Sequence, residues 1–229
     1  YKMSVIINSS IFRFLNDLKK NNTRKWFAEN KDYYLMEEKK IKHFFTTIKG
    51  ALSAIDHIGG MKAYRIYRDI RFSKDKTPYK TYRSCSYKRA TEALRGGYHL
   101  EITPGGSFLA AGFWQPNKED LFRIRKEFEL DRSYIEKILS DKKFTKLFKG
   151  FHNRNSLKVA PTGFDKNHPN IDLIRKKDFI VLRKFTDKEV LSKDFHTTVI
   201  NSFKAVRPFF DYMSDVLTTN LNGESILEE

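Results

Sequence analysis

The stretch Tyr64–Lys80 reads YRIYRDIRFSKDKTPYK, and its period decides the fold class. Tyr64, Ile66, Arg68, Ile70 and Phe72 alternate with Arg65, Tyr67, Asp69 and Arg71, which is the two-residue period of a strand. Arg68 stands on the otherwise apolar side. An unpaired buried guanidinium is costly to desolvate, so Arg68 requires a partner, and Asp69, Asp75 or a carboxylate on a facing strand such as Glu101 can supply one. Ser73 to Lys80 is a polar turn containing Pro78, where a hydrogen-bonded ladder should stop and then resume.

Downstream the same period persists for some fifty residues, predicting strands near 64–72, 80–88, 97–103 and 107–114. Thr103-Pro104-Gly105-Gly106 joins the last two as a hairpin, residues 89–96 form a longer connection, and Gly112 marks a bulge or a close backbone approach. Upstream the spacing is helical. Ser9 and Ser10 cap a helix to about Lys20 that buries Phe12, Phe14, Leu15 and Leu18. Thr23 caps a long helix to about residue 56, with Phe27, Tyr34, Ile41, Phe45, Ile48, Leu52 and Ile55 on its stripe, and Gly59-Gly60 hands the chain to the strands. Beyond Pro116, Asn117, Asp131 and Asp141 introduce helices at about 118–129, 132–140 and 142–149. Residues 150–177 are irregular except for a short helix from Ile171, introduced by Asn170, and 178–185 is a further strand. The final helix, 194–221, buries Phe195, Val199, Phe203, Val206, Phe210, Met213 and Leu217, and Pro208 kinks or splits it. The expectation is one α+β domain over 1–229: an antiparallel β-meander packed against long N- and C-terminal helices.

Composition narrows the class. No apolar window approaches the length of a membrane span, and the N-terminus lacks the order of a secretory signal; Tyr1 and Lys2, ahead of Met3, are set aside. A lone Cys85 excludes an internal disulfide and fits a reducing, cytoplasmic location. The net charge of +16 favours anionic partners, and eleven basic residues against three acidic ones between Lys62 and Arg95 supply half of it.

Three stretches carry a family resemblance. They are Phe14-Leu15-x-x-Leu18-x-x-Asn21-Asn22 with Trp26-Phe27-x-x-x-Lys31-x-x-Tyr34; Arg65-Ile66-x-Arg68-Asp69-x-Arg71-Phe72-Ser73-x-Asp75-Lys76-x-Pro78-Tyr79-Lys80; and Pro161-x-Gly163-Phe164-Asp165-x-x-His168-Pro169-x-Ile171-Asp172. In order, spacing and content they resemble domain of unknown function 2461, a family of bacteria and fungi. The resemblance spans nearly the whole chain and implies a bacterial protein of that fold, with no activity attached.

The candidate chemistry follows from residue types. Arg65, Arg68, Arg71, Lys76 and Lys80, with Ser73 and Tyr79, offer forked guanidinium and mobile ammonium donors for a phosphate or carboxylate, and Asp69 and Asp75 organise them. The same acids can instead neutralise the arginines in a purely structural network. His99 and Glu101 share one strand face, and His168 and Asp172 approach from the 161–172 loop, so an enzyme acting on a phosphorylated or nucleic-acid substrate is an alternative. No metal-ligand spacing and no nucleotide or nucleophile motif is present, and no cofactor is expected. The expected partner is an anionic small molecule or nucleic acid, with no membrane; a protein-interaction surface braced by ion pairs is the remaining alternative.

Overall fold

The computed structural model describes residues 5–152 and 155–227. Tyr1, Lys2 and Met3, and positions 153–154 within the stretch expected to be irregular, lie outside the described residues. Helix α1 (Ser9–Lys20) buries Ile11, Phe12, Phe14, Leu15 and Leu18. Its N-cap is Asn8 rather than a serine, and Ser10 instead donates to Glu37 Oε2 at 2.8 Å. Thr23 caps α2 (Arg24–Glu29), accepting from the Trp26 N–H at 3.2 Å. The long helix expected from there breaks once, because Asn30 turns its amide back onto the Trp26 carbonyl at 2.9 Å, and α3 (Lys31–Ser53) starts afresh.

The strands are β1 (Ile58–Ala63), β2 (Arg83–Arg89), β3 (Gly97–Ile102), β4 (Phe108–Phe113) and β5 (Phe179–Lys184), in the antiparallel order β1-β2-β3-β4-β5. Residues 64–72 are not one of them. Gly59 and Gly60 lie inside β1 rather than before it, which an edge strand tolerates. Beyond Ala63 the chain keeps a single bridge, Tyr67 to Tyr79, flanked by Arg68 N–H to the Pro78 carbonyl (2.9 Å) and Lys80 N–H to the Ile66 carbonyl (2.8 Å). Pro78 has no N–H to return the bond to Arg68, so the ladder cannot propagate. Ile66 is fully buried while Phe72, expected on the same face, is 96% exposed.

Helices α4 (Lys118–Leu130) and α6 (Lys142–Thr145) begin where their capping residues predict, with Asn117 accepting from the Asp120 N–H at 2.7 Å and Asp141 from the Lys143 N–H at 2.8 Å, whereas α5 (Ser133–Ser140) has Arg132 and not Asp131 at its N-cap and α6 ends four residues short of the expected 149. The chain then forms α7 (Ile171–Ile174), β5, α8 (Asp187–Val190), α9 (Phe195–Ala205) and α10 (Arg207–Thr218). The terminal helix is split, not bent: Pro208 occupies the first turn of α10, where its missing N–H costs no bond.

The described residues cluster into two compact units. The first comprises residues up to Tyr87, His99–Leu109 and Lys184–Asn201, and its core includes Phe14, Leu18, Phe45, Ile48, Leu52, Tyr87, Leu100 and Phe195. The second comprises Lys88–Tyr98, Ala110–Arg183 and the residues from Ser202 on, with Tyr98, Ile124, Phe128, Phe179, Phe203, Phe210 and Met213 inside. Each fully buried Phe, Leu or Ile contributes about 1.5–3 kcal/mol, which is what fixes the helices. Among the described residues no helix is long and apolar enough to cross a membrane.

Candidate functional site

In the first unit, a cleft of about 560 Å³ is lined by Lys19, Asn22, Arg68, Asp69, Asp75, Thr77, Tyr79, Lys80, Thr81 and Tyr82. Its wall is the excursion 66–80, which the chain makes because the bridge at Tyr67 closes a loop rather than a hairpin. Asn22 clamps that excursion to the end of α1 by a pair of bonds that mimic a strand neighbour: its amide donates to the Tyr79 carbonyl at 2.9 Å, and its Oδ1 accepts from the Tyr79 N–H at 3.1 Å. The Tyr79 ring lies flat on Phe27, centroids 4.0 Å apart, so this tyrosine anchors the cleft to the core through its ring.

Arg68 finds its partner locally. Its guanidinium bonds Asp75 and Thr77 and reaches Ser73 Oγ at 3.4 Å, while Asp75 Oδ1 accepts from the N–H (2.9 Å) and the hydroxyl (2.8 Å) of Thr77. The Thr77 N–H, with Arg68 next, holds the Asp75 carboxyl down at about 2. Asp69 turns away from Arg68 and takes Arg71 in a two-point pair, Nε to Oδ1 at 3.0 Å and Nη2 to Oδ2 at 2.7 Å, which lowers its own carboxyl to about 2. Lys76 Nζ donates to the Ile70 carbonyl at 3.0 Å. The loop 69–76 is thus braced from inside by the residue types that suggested a binding site.

Lys80 differs from these. Its ammonium sits over the rings of Tyr64 (5.5 Å) and Tyr82 (5.9 Å), and among the described residues no carboxylate comes within ion-pair distance of it. Burial first, then the cations Arg83 and Arg65, push its pKa below the ordinary lysine value, with Glu101 opposing from farther away. A half-buried cation among cations, facing a cleft, gains from an incoming anion.

Of the residues singled out from the sequence, the structure brings Arg68, Asp69, Asp75, Tyr79 and Lys80 together in the cleft lining. Ser73 stands behind Arg68, whereas Arg65, Arg71 and Lys76 are exposed and outside the lining. Glu101 accepts from Thr103 Oγ1 at 3.1 Å and is raised by burial. His99 bonds Ser86 Oγ through Nδ1 at 2.9 Å, and Tyr64 Oη lies 3.2 Å from that same oxygen. Burial lowers the His99 pKa, so the ring is neutral at physiological pH and can accept a proton. His168 and Asp172 belong to the second unit. There His168 Nδ1 accepts from the Asn170 N–H at 3.1 Å, and Asp172 pairs with Arg132 at 3.0 Å in a second cleft lined also by Ile135, Phe151, Leu173 and Lys176.

Two arginines of the basic segment are not at any surface. Arg83 is 1% exposed and makes a two-point pair with Glu38 of α3 (2.8 and 2.7 Å), and Arg89, equally buried, donates to the Arg95 carbonyl and Ser214 Oγ. Clustering along the chain overstated the field at the cleft for that reason. Sequence reasoning missed Lys19, Asn22, Thr77, Thr81 and Tyr82 as lining, and it missed Glu38; the Asn22–Tyr79 contact spans 57 positions and leaves no periodic trace. Cys85 is buried, and its thiol is pushed up to about 11 by desolvation, which suits packing and not nucleophilic attack. Among the described residues no group of three or more His, Cys, Asp or Glu is placed to hold a metal ion.

The family model described as Conserved hypothetical protein (DUF2461) matches residues 10–212. The chain belongs to the DUF2461 family. No curated protein and no solved structure matches it. Every residue lining either cleft of this DUF2461 chain falls within the matched span.

Proposed function

We propose that the cleft beside the 66–80 excursion binds an anionic ligand through a phosphate or carboxylate group. The observation that carries this reading is Lys80: a partly desolvated ammonium in the lining, stacked on two tyrosines and left without an acid at ion-pair distance. Folding leaves this charge unneutralised at a cost, and a bound anion recovers it. Arg68 stands in the same lining with its geometry fixed by Asp75 and Thr77, so the site is preorganised and little ordering entropy is lost on binding.

The test is a thermal-shift and calorimetry panel of pyrophosphate, sugar phosphates, nucleotides and citrate with wild type and Lys80→Met. A ligand at 100 times its Kd raises apparent stability by about 2.7 kcal/mol. The expected outcome is that at least one compound raises Tm in wild type, that Lys80→Met abolishes the shift, and that the unliganded variant is as stable as wild type or more so. A panel in which nothing shifts wild type, or a shift that Lys80→Met retains in full, overturns the reading.

A further inference from the structure

Resting on that reading of the cleft, we propose that its ligand class is single-stranded nucleic acid, with one base stacked on Phe72, outside the cleft lining, the adjacent phosphates on the basic rim, and a phosphate elsewhere on the strand at Lys80. Phe72 is 96% exposed, the most exposed of the large apolar side chains described. It is not on a slack segment. The turn closes from the Ser73 N–H to the Ile70 carbonyl (3.4 Å), Asp69 accepts from the Arg71 N–H (3.2 Å), Lys76 bonds the Ile70 carbonyl, and Arg68 ties Ser73, Asp75 and Thr77 behind it. The polar groups of the brace bond one another and the loop backbone, whereas the Phe72 ring is left in solvent. A phenyl ring held in water forgoes the stabilisation that its burial would give, so the braced loop does not present it for the sake of the fold.

The surroundings choose the partner by charge. Arg65, Lys74 and Lys76 are exposed around the loop, while its only acids, Asp69 and Asp75, are each occupied by an arginine. The Arg71 guanidinium lies 5.9 Å from the Phe72 ring centre, and Tyr67 is half exposed nearby in the chain. Cations interleaved with outward aromatic faces are what a single strand needs, since every base has a π-face and every linkage a charge. A membrane is the poorer occupant. One phenyl ring buries far less than an acyl chain, and even a single acyl chain anchors only marginally.

The inference is tested by fluorescence anisotropy of labelled twelve-nucleotide oligouridylate and oligodeoxythymidylate, with inorganic polyphosphate as a base-free polyanion and anionic phosphatidylglycerol vesicles in parallel. Phe72→Ala is expected to weaken oligonucleotide binding about tenfold and Phe72→Trp to retain it, both with wild-type Tm, because stacking of one base is lost or kept. Polyphosphate affinity should be the same in all three proteins. The logarithm of oligonucleotide affinity should fall by about 0.7 per log unit of salt for each phosphate engaged. Equal weakening of polyphosphate and oligonucleotide by Phe72→Ala overturns the base-stacking inference, as does unchanged oligonucleotide binding or vesicle binding that depends on Phe72. Absence of oligonucleotide binding alongside a Lys80-dependent pyrophosphate shift overturns it while the cleft reading survives; absence of both removes the two together.

Discussion

Two arginines fifteen positions apart show how differently the same side chain can be used. Arg68 keeps a quarter of its side chain in water and holds a surface loop, whereas Arg83 is 1% exposed and holds Glu38, itself nearly buried, with Lys42 3.2 Å from the same carboxylate. Exposed pairs contribute at most about 1 kcal/mol, but removing one partner of a buried pair strands the other charge and costs about 3–5 kcal/mol. Arg83→Met is therefore expected to lower the urea-unfolding free energy by about 3 kcal/mol, and the double change with Glu38→Leu to recover most of that, because an apolar pair no longer requires desolvated charge. Arg68→Ala should move the same midpoint little. Equal losses at the two positions would contradict this division.

At the scale of elements, the approach of β4 to β5 rests on one absent side chain. Gly112 has φ 142, and a Cβ there would stand 2.1 Å from the Phe179 carbonyl oxygen and 2.8 Å from Ile180 Cα. Neither neighbour is a flexible tip that can move aside, so β5 must shift or the strand must break. Gly112→Ala is expected to cost about 2–4 kcal/mol, read from the denaturation midpoint. Gly106→Ala in the β3–β4 turn, where the nearest atom is 3.7 Å away and φ is not positive, should be close to neutral. A sequence reader can see that a glycine interrupts a strand; only the partner strand says that it is a contact and not a bulge.

For the molecule as a whole, most of the shifted groups that titrate below neutrality make acid destabilising, while Glu101, raised by burial, gains stability as pH falls and opposes the trend. Burial lowers the His99 pKa, so the unfolded chain binds more protons there and stability falls as pH drops below about 6.5. Asp69 and Asp75, held at about 2 by their hydrogen bonds, and Asp131, lowered by Ser133, contribute stability above about pH 3.9 that is lost as pH falls towards 2. Protonating acids also raises a net charge that is already +16, which adds self-repulsion. Calorimetric Tm is expected to decline from pH 7.5 to 5.5 and again below pH 4. His99→Asn should flatten the first decline and leave the second; a first decline unchanged in that variant would mean that another group drives it.

By itself the sequence determined the α+β class and several helix starts, because these depend on short-range chemistry: Asn117, Asp141 and Thr23 cap where their side chains reach the next turn, and Pro208 must stand in a first turn or break a helix. It also marked 65–80 as the segment rich in donors. Tertiary structure decided the rest. The alternation from Tyr64 to Phe72 has strand period, yet a strand needs a neighbour able to return its bonds, and Pro78 opposite Arg68 cannot. Which charges are free is likewise a pairing question across the chain: Arg83 is consumed by Glu38 45 positions away, Arg68 by Asp75 seven away, and Lys80 by no carboxylate at ion-pair distance among the described residues. The cation that faces the cleft was identifiable only once its neighbours had been placed around it.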